Sequence, residues 1–252
     1  MSGHSKWSTI KHGKAVSDSR RGQLFTKLSK EISIAARQGG ADPEMNFRLR
    51  IAVQRAKDSN MPSDTIERAL KKGSGEGAGG EQMAEITYEG YGPGGTAILL
   101  EALTDNKNRT VSDVRSTFTK TGGNLAQTGA VAWQFDQRGV VVVEADEEEA
   151  EDLTLMTIDA GAEDFETFDG SLQVYSSPEN LEEIRKTLAN HGADIKSSEL
   201  SMVPKNTVLL DAKNAKQTLR LLDTLEELDD IQRVFSNADF PDEVLADYSG
   251  EK

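Results

Sequence analysis

The stretch Gly139–Met202, GVVVVEADEEEAEDLTLMTIDAGAEDFETFDGSLQVYSSPENLEEIRKTLANHGADIKSSELSM, decides the fold. Gly139 to Ala145 is a β-branched run of strand type. Glu147 to Asp159 follows at helical spacing, then strands at 164–168 and 172–175, a helix over 178–190 and a strand over 195–202. The order is βαββαβ, the split-βαβ arrangement of ferredoxin-like domains. Asp146 to Glu149 stand at a helix start, where carboxylates favour the dipole. Glu151 and Asp152 continue a solvated face. These acids lack the alternating spacing and central glycine of a calcium loop, so no metal is expected.

Working outward, strand patterns occupy 83–91 and 96–104, and Tyr91-Gly92-Pro93-Gly94-Gly95 turns between them. A helix is expected over 108–121 and a short strand over 131–135, with Trp133 in a core. Beyond Pro204 come a strand at 207–211, a helix at 212–227 and a strand at 231–236. The elements at 96–104, 108–121 and 131–135, joined to these three, form a second βαββαβ split by the first. The expected class is therefore α+β: a basic N-terminal helical bundle followed by two ferredoxin-like α/β domains, one inserted in the other. The domains predicted are 1–75, 82–136 plus 205–240, and 137–204 inserted, with 241–252 a loose acidic tail. Gly73 to Gly80 is a linker by composition. No strand precedes it and no Lys-Ser/Thr follows, so it is not a phosphate loop.

Charge divides the chain in two. Residues 1–72 hold fifteen Lys and Arg against seven Asp and Glu, a net of +8. The whole chain of 252 residues is at −14, which leaves −22 for residues 73–252. A basic module beside an acidic body points to a phosphate-bearing partner. The module begins with an arm carrying His4, Lys6, Trp7, Lys11, His12 and Lys14, suited either to backbone contacts with base stacking or to packing of Trp7 on the neighbouring helices. A helix is expected from Asp18 to Gln38, with Leu24, Leu28, Ile32, Ala35 and Ala36 inward and Arg20, Lys27, Lys30 and Arg37 opposite; Arg21 adds to its charge. Gly39-Gly40 ends it. Asp42 as N-cap and Pro43 at the first position open a second helix. Met45, Leu49, Ala52, Val53 and Ala56 form one stripe there, Phe47 and Ile51 another. Arg48 with Arg55, and Arg50 with Lys57, line its flanks. A third helix spans 63–72. Acids are scarce on this surface, so pairing along the helices cannot neutralise it.

Catalytic patterns are missing. The chain has no cysteine, and His4, His12 and His191 have no metal-ligand spacing. No GxSxG elbow occurs. The pair Asp229-Asp230 reads as a polar turn before a strand. No apolar run reaches the length of a membrane span, and no secretory or organellar leader precedes the arm. A cytoplasmic non-enzyme without cofactors is expected, acting as a monomer and without membrane contact.

Gly3-His4-Ser5-Lys6-Trp7, Ile10-Lys11-His12, Phe25-Thr26-Lys27-Leu28, Asn46, Arg48-Leu49-Arg50 and Asn60-Met61-Pro62 closely resemble the opening of the YebC/PmpR family. Tyr88 to Gly95, Glu101 to Thr110 and Leu228-Asp229-Asp230-Ile231 match the same family. The resemblance covers essentially the whole chain; Gly13 departs from it, standing where a third basic residue is expected. It implies a bacterial-type transcriptional regulator that binds promoter DNA. It also marks Tyr91, Gly92, Pro93, Gly94 and Gly95, with Asn106, Asn108 and Arg109, as a partner-binding loop. The family's organellar relatives are described as translational activators. A ribosome-associated translation factor that binds ribosomal RNA is therefore the alternative, and an acidic protein-interaction scaffold a third. Double-stranded DNA and ribosomal RNA are both phosphate polymers, and charge does not separate them. The absence of a groove-reading motif favours RNA or shape recognition.

Overall fold

The computed structural model describes residues 18–75, 83–168 and 170–250. Among the described residues three helices come first: α1 (Asp18–Gly39), α2 (Phe47–Asp58) and α3 (Ser63–Ser74). Their shared core is Leu28, Ile32, Ala35, Leu49, Ala52, Ala56, Ile66 and Ala69. The many alanines let the helices approach closely. Ser33 Oγ donates to the Ala69 carbonyl at 2.8 Å. A Cβ on Gly73 would lie 2.4 Å from the Ser33 carbonyl oxygen. Gly73 therefore belongs to a helix contact, not to a linker. The second helix starts at Phe47 rather than Pro43, with Asn46 as its cap. Asn46 Oδ1 accepts from Leu49 N at 3.1 Å, while Nδ2 donates to the Ala35 and Gly40 carbonyls, each at 2.8 Å. That side chain fastens two helices at once, which Asp42 does not do. Met45 lies before the helix, 84% exposed, and not in its apolar stripe.

The first α/β domain begins with β1 (Ala84–Tyr91), β2 (Ala97–Thr104), α4 (Lys107–Lys120) and β3 (Asn124–Leu125). The inserted domain runs through β4 (Phe135–Glu144), α5 (Glu147–Asp159), β5 (Ala162–Phe168), β6 (Ser171–Ser176), α6 (Leu181–Asn190) and β7 (Asp194–Pro204). The chain then returns to the first domain with β8 (Val208–Leu209), α7 (Ala212–Glu226), β9 (Ile231–Ser236), β10 (Ala238–Asp239) and α8 (Asp242–Gly250).

The inserted sheet has the order β5-β6-β4-β7, all antiparallel, the arrangement expected of a βαββαβ unit. Val141, Val143, Leu172 and Val174 face its helices. Entry and exit strands pair with each other from Phe135↔Pro204 onward, so the insertion leaves its host at one point.

The host sheet has the order β3-β1-β2-β9. Here the strand reading needs correction. Residues 131–135 do not form a sheet strand: Ala132–Gln134 is a 3-10 turn, and Trp133 is 67% exposed instead of lying in a core. The 207–211 strand shrinks to β8, which pairs with β10 outside the sheet. The inner position goes to β1, held against β2 in register from Ala84↔Thr104 to Tyr91↔Ala97. A hairpin closed by a short glycine turn is the cheaper pairing, since its ends are already adjacent. The C-terminal stretch is not loose either: α8 buries Val244 and Leu245 in the core that contains Leu219 and Leu222.

Candidate nucleic-acid interface

The arm residues His4, Lys6, Trp7, Lys11, His12 and Lys14, and the side chain of Arg20, lie outside the described residues. Arg21 on α1 and Lys71 on α3 are exposed. The remaining cations of the module fall into three groups.

One group joins the domains. Glu31, on α1, accepts from Arg233 of β9 at 2.8 Å and from Arg55 of α2 at 3.1 Å. Arg55 also reaches Glu199 of β7 at 3.1 Å. Arg233 donates to the Leu200 carbonyl and stands 3.9 Å from Glu101. Burial pushes the Glu31 carboxyl up, but Arg233 and Arg55 more than offset this and hold it below its ordinary value. Burial raises Glu101, and Arg233 is too distant to reverse it. Arg48 makes a two-pronged contact with Glu85 of β1, both bonds at 2.9 Å. Arg55 and Arg48 are thus engaged within the molecule.

The second group sits on the outer flank of α2. Arg50 donates to the Pro43 and Glu44 carbonyls and lies 5.7 Å from the Phe47 ring centroid. Lys57 is exposed.

The third group forms a cleft of about 880 Å³ between the helical bundle and the host α/β domain. From α1 and α3 it is lined by Lys30, Arg37, Arg68 and Lys72, with Ser, Thr and apolar residues and no carboxylate. The facing wall carries Asp105, Asp113, Glu227, Asp229 and Asp230. The walls meet at its base. Lys27 donates to the Glu226 carbonyl, and Lys30 donates to the Asp229 carbonyl at 3.1 Å and lies 3.5 Å from Asp230 Oδ1. Lys27 therefore caps the C-terminal end of α7, where backbone carbonyls carry partial negative charge, and Lys30 holds the turn that follows it.

Asp230 is the anchor of that base. Its Oδ2 accepts from Arg109 Nη2 at 2.7 Å, Thr110 Oγ1 at 2.9 Å and Thr104 Oγ1 at 3.2 Å. Burial pushes its carboxyl up, and the bonds from Arg109 and Thr110 bring it below the usual carboxylate range. Arg109 also bonds Asp105 at 2.8 Å, and its guanidinium is held more firmly protonated by the two acids.

The residues expected to form one partner loop are not together. Tyr91 to Gly95 lie at one end of β2, while Asn106, Asn108 and Arg109 follow its other end, roughly 25 Å away at the usual strand rise. Asn106 is the N-cap of α4, accepting from Arg109 N at 3.1 Å. At the far tip, Gly94 and Gly95 have φ of 73° and 79°, a region glycine enters readily. Tyr91 Oη and Trp133 Nε1 both donate to the Ala130 carbonyl, at 3.2 and 3.1 Å. Glu89, buried beneath them, accepts from the N–H groups of Gly129, Val131 and Ala132 at 2.6–2.8 Å. Burial raises its carboxyl, and these three bonds pull it below its ordinary value.

Two cleft cations, Arg68 and Lys72, were not singled out from the residues. Their i,i+4 spacing places them on one side of a helix, but only the packing of α3 on α1 brings them beside Arg37. Asp230 and Glu89 were missed for the same reason, since their partners are distant in sequence.

A basic three-helix module docked on two nested α/β domains defines the class of this protein. The comparisons place it more narrowly. Residues 5–76 match the TACO1/YebC protein N-terminal domain, and residues 83–238 match the TACO1/YebC second and third domain. The chain belongs to the TACO1/YebC family. It is 56% identical to a probable transcriptional regulatory protein of Dehalococcoides mccartyi over 251 residues, covering 100% of both chains. It is 51% identical to one from Natranaerobius thermophilus, covering 97% of this chain and 99% of that one. A crystal structure of a conserved hypothetical protein from Aquifex aeolicus superposes with a TM-score of 0.82 at 45% identity, over 90% of this chain and 94% of that one. Among the described residues no helix is long and apolar enough to cross a membrane.

Proposed function

We propose that this protein is a non-enzymatic, cytoplasmic regulator of gene expression that holds double-stranded DNA by its phosphates through the α1–α3 wall of the cleft. The observation that carries this reading is the segregation of charge. Arg37, Arg68 and Lys72 stand on a wall to which α1 and α3 contribute no carboxylate. The acidic body repels a polyanion from its own surface, which favours docking on the helical module. Lys57 and the arm cations add to the net charge of the module. The names of the relatives support a regulatory role.

The test is the salt dependence of binding. Each phosphate contact to B-DNA contributes about 0.9 to the slope of log K against log salt. Arg68→Ala/Lys72→Ala is expected to lower affinity at low salt and to flatten the slope by about 1.8. An unchanged slope removes the cleft from the interface. A second reading, structured RNA, draws support from the exposed aromatic residues Trp133 and Tyr91, since unpaired bases stack on such side chains. A duplex and a folded RNA of equal length, titrated side by side, separate the two. Tighter RNA binding that is weakened by Trp133→Ala moves the assignment to RNA.

A further inference from the structure

We propose that the solvent face of α5 is a docking surface for a positively charged amphipathic helix of another protein. Helix α5 buries Ala150, Leu153 and Thr157 against its own domain. On the opposite side Leu155 and Ile158 are 66% and 50% exposed, and Met156 beside them is 38% exposed. Leu155 and Ile158 are neighbours at i,i+3. Leu155 is bordered by Glu151 and Asp152 one turn earlier and by Asp159 one turn later. The result is an apolar strip with a carboxylate rim.

The charges identify what would cover the strip. Between Gly139 and Ile184 the chain has fifteen Asp and Glu and no Lys or Arg. Among the described residues no Lys or Arg pairs with a carboxylate of α5. The helix dipole accounts for Glu147 to Glu149 in the first turn. It does not account for Glu151 and Asp152 in the middle, and at Asp159 it opposes the charge. Acids at i,i+4, such as Glu147 with Glu151 and Glu148 with Asp152, destabilise an isolated helix. This face therefore combines solvent-exposed aliphatic surface with uncompensated like charge. One partner relieves both: a helix with an apolar stripe flanked by Lys and Arg. Nucleic acid is repelled here, and α5 of a second copy would bring like charges together. The surface is separate from the cleft and does not depend on the function proposed for it.

The probes are two labelled synthetic peptides of identical Leu and Lys composition. One has its leucines at i, i+3, i+4 and i+7; the other is scrambled. Full-length protein is titrated into each, with fluorescence anisotropy as readout. The expected result is about tenfold tighter binding of the amphipathic peptide, in line with burial of one to two aliphatic side chains. Leu155→Ser/Ile158→Ser, at exposed positions and checked for folding by circular dichroism, should lose that preference. Glu151→Gln/Asp152→Asn should weaken both peptides and flatten their salt dependence. Equal binding of the two peptides to the wild type, or a preference that survives in the Ser variant, overturns the proposal. So does self-association of the wild type, seen by sedimentation and abolished in the Ser variant, which would make a second copy the occupant.

Discussion

Arg233→Met tests whether the buried ion network holds the three parts of the molecule together. Arg233 is 12% exposed at its side chain and Glu31 14%, so the pair is largely out of water. Removing one partner of a buried ion pair costs about 3–5 kcal/mol. Arg55 remains 3.1 Å from Glu31, which offsets part of that. Against it, Glu31, Glu101 and Glu199 are left to share one guanidinium, and the Leu200 carbonyl loses its donor. The full range of about 3–5 kcal/mol is therefore expected, and for a chain of this size that lowers Tm by roughly 6–20 °C. Thermal unfolding followed by circular dichroism measures it. The pH dependence adds a second check. Glu31 is held below its ordinary value, so its stabilisation is present above the unfolded carboxylate pKa and is lost as pH falls through the folded one. Glu101 is raised, so its contribution has the opposite sign and is lost as pH rises through its folded value. Without Arg233, Glu31 loses its strongest lowering influence, and its carboxyl rises. The deficit relative to wild type should be greatest at neutral pH and narrow on acidification. A deficit below about 1 kcal/mol at neutral pH, smaller than the loss of one charged hydrogen bond, refutes the reasoning, as does one that grows in acid.

Two other substitutions follow from single contacts. Glu89→Gln places an amide against three backbone N–H donors, and leaving buried donors unmet costs about 1–3 kcal/mol. Amide exchange at Gly129, Val131 and Ala132 should accelerate in the variant at neutral pH. In the wild type the corresponding loss of protection, taken relative to the intrinsic exchange rate at each pH, should appear only as pH falls through the lowered Glu89 value. Gly73→Ala gains helix propensity but drives a methyl to 2.4 Å from the Ser33 carbonyl. Overpacking of this kind costs about 1–3 kcal/mol, so denaturant melts should show a net loss, and a gain would mean that α3 shifts freely on α1.

The elements most legible in the sequence are those whose partners are close along the chain. The helices of the bundle and all six elements of the inserted unit follow from apolar period together with local turn and cap residues, apart from the start of the second helix. In the host domain the helices and the strands near 83–91, 96–104 and 231–236 were legible, but 131–135 was read as a strand where the chain turns, and the pairing was not legible. Val131 and Phe135 alternate like a strand, and both are indeed buried, against Ala97, Leu99 and Phe235. The turn between them achieves that burial while directing Trp133 outward. Whether β1 or 131–135 takes the inner position depends on contacts that periodicity does not carry. The second helix start is a similar case. Asp42 and Asn46 are both capable caps, and the bonds of Asn46 to Ala35 and Gly40 decide between them.

The charge pattern was legible in sign but not in partner. Lys27 and Lys30 stand opposite the apolar stripe of α1, as the spacing requires, yet they meet the end of α7 rather than solvent. The reason lies in the same numbers that suggested a polyanion. A module at +8 and a body at −22 attract each other, and the body is tethered at high effective concentration. The nearest polyanion is therefore the rest of the chain. It takes Lys27, Lys30, Arg48 and Arg55, whose positions face it, and leaves Arg68 and Lys72 along the cleft wall. An external phosphate chain has to meet that wall against the field of Asp105, Asp113 and Asp229. For the function proposed above, a ligand presenting several phosphates at once competes better there than one presenting few, so a nucleic-acid fragment should bind more tightly than a mononucleotide in side-by-side titrations.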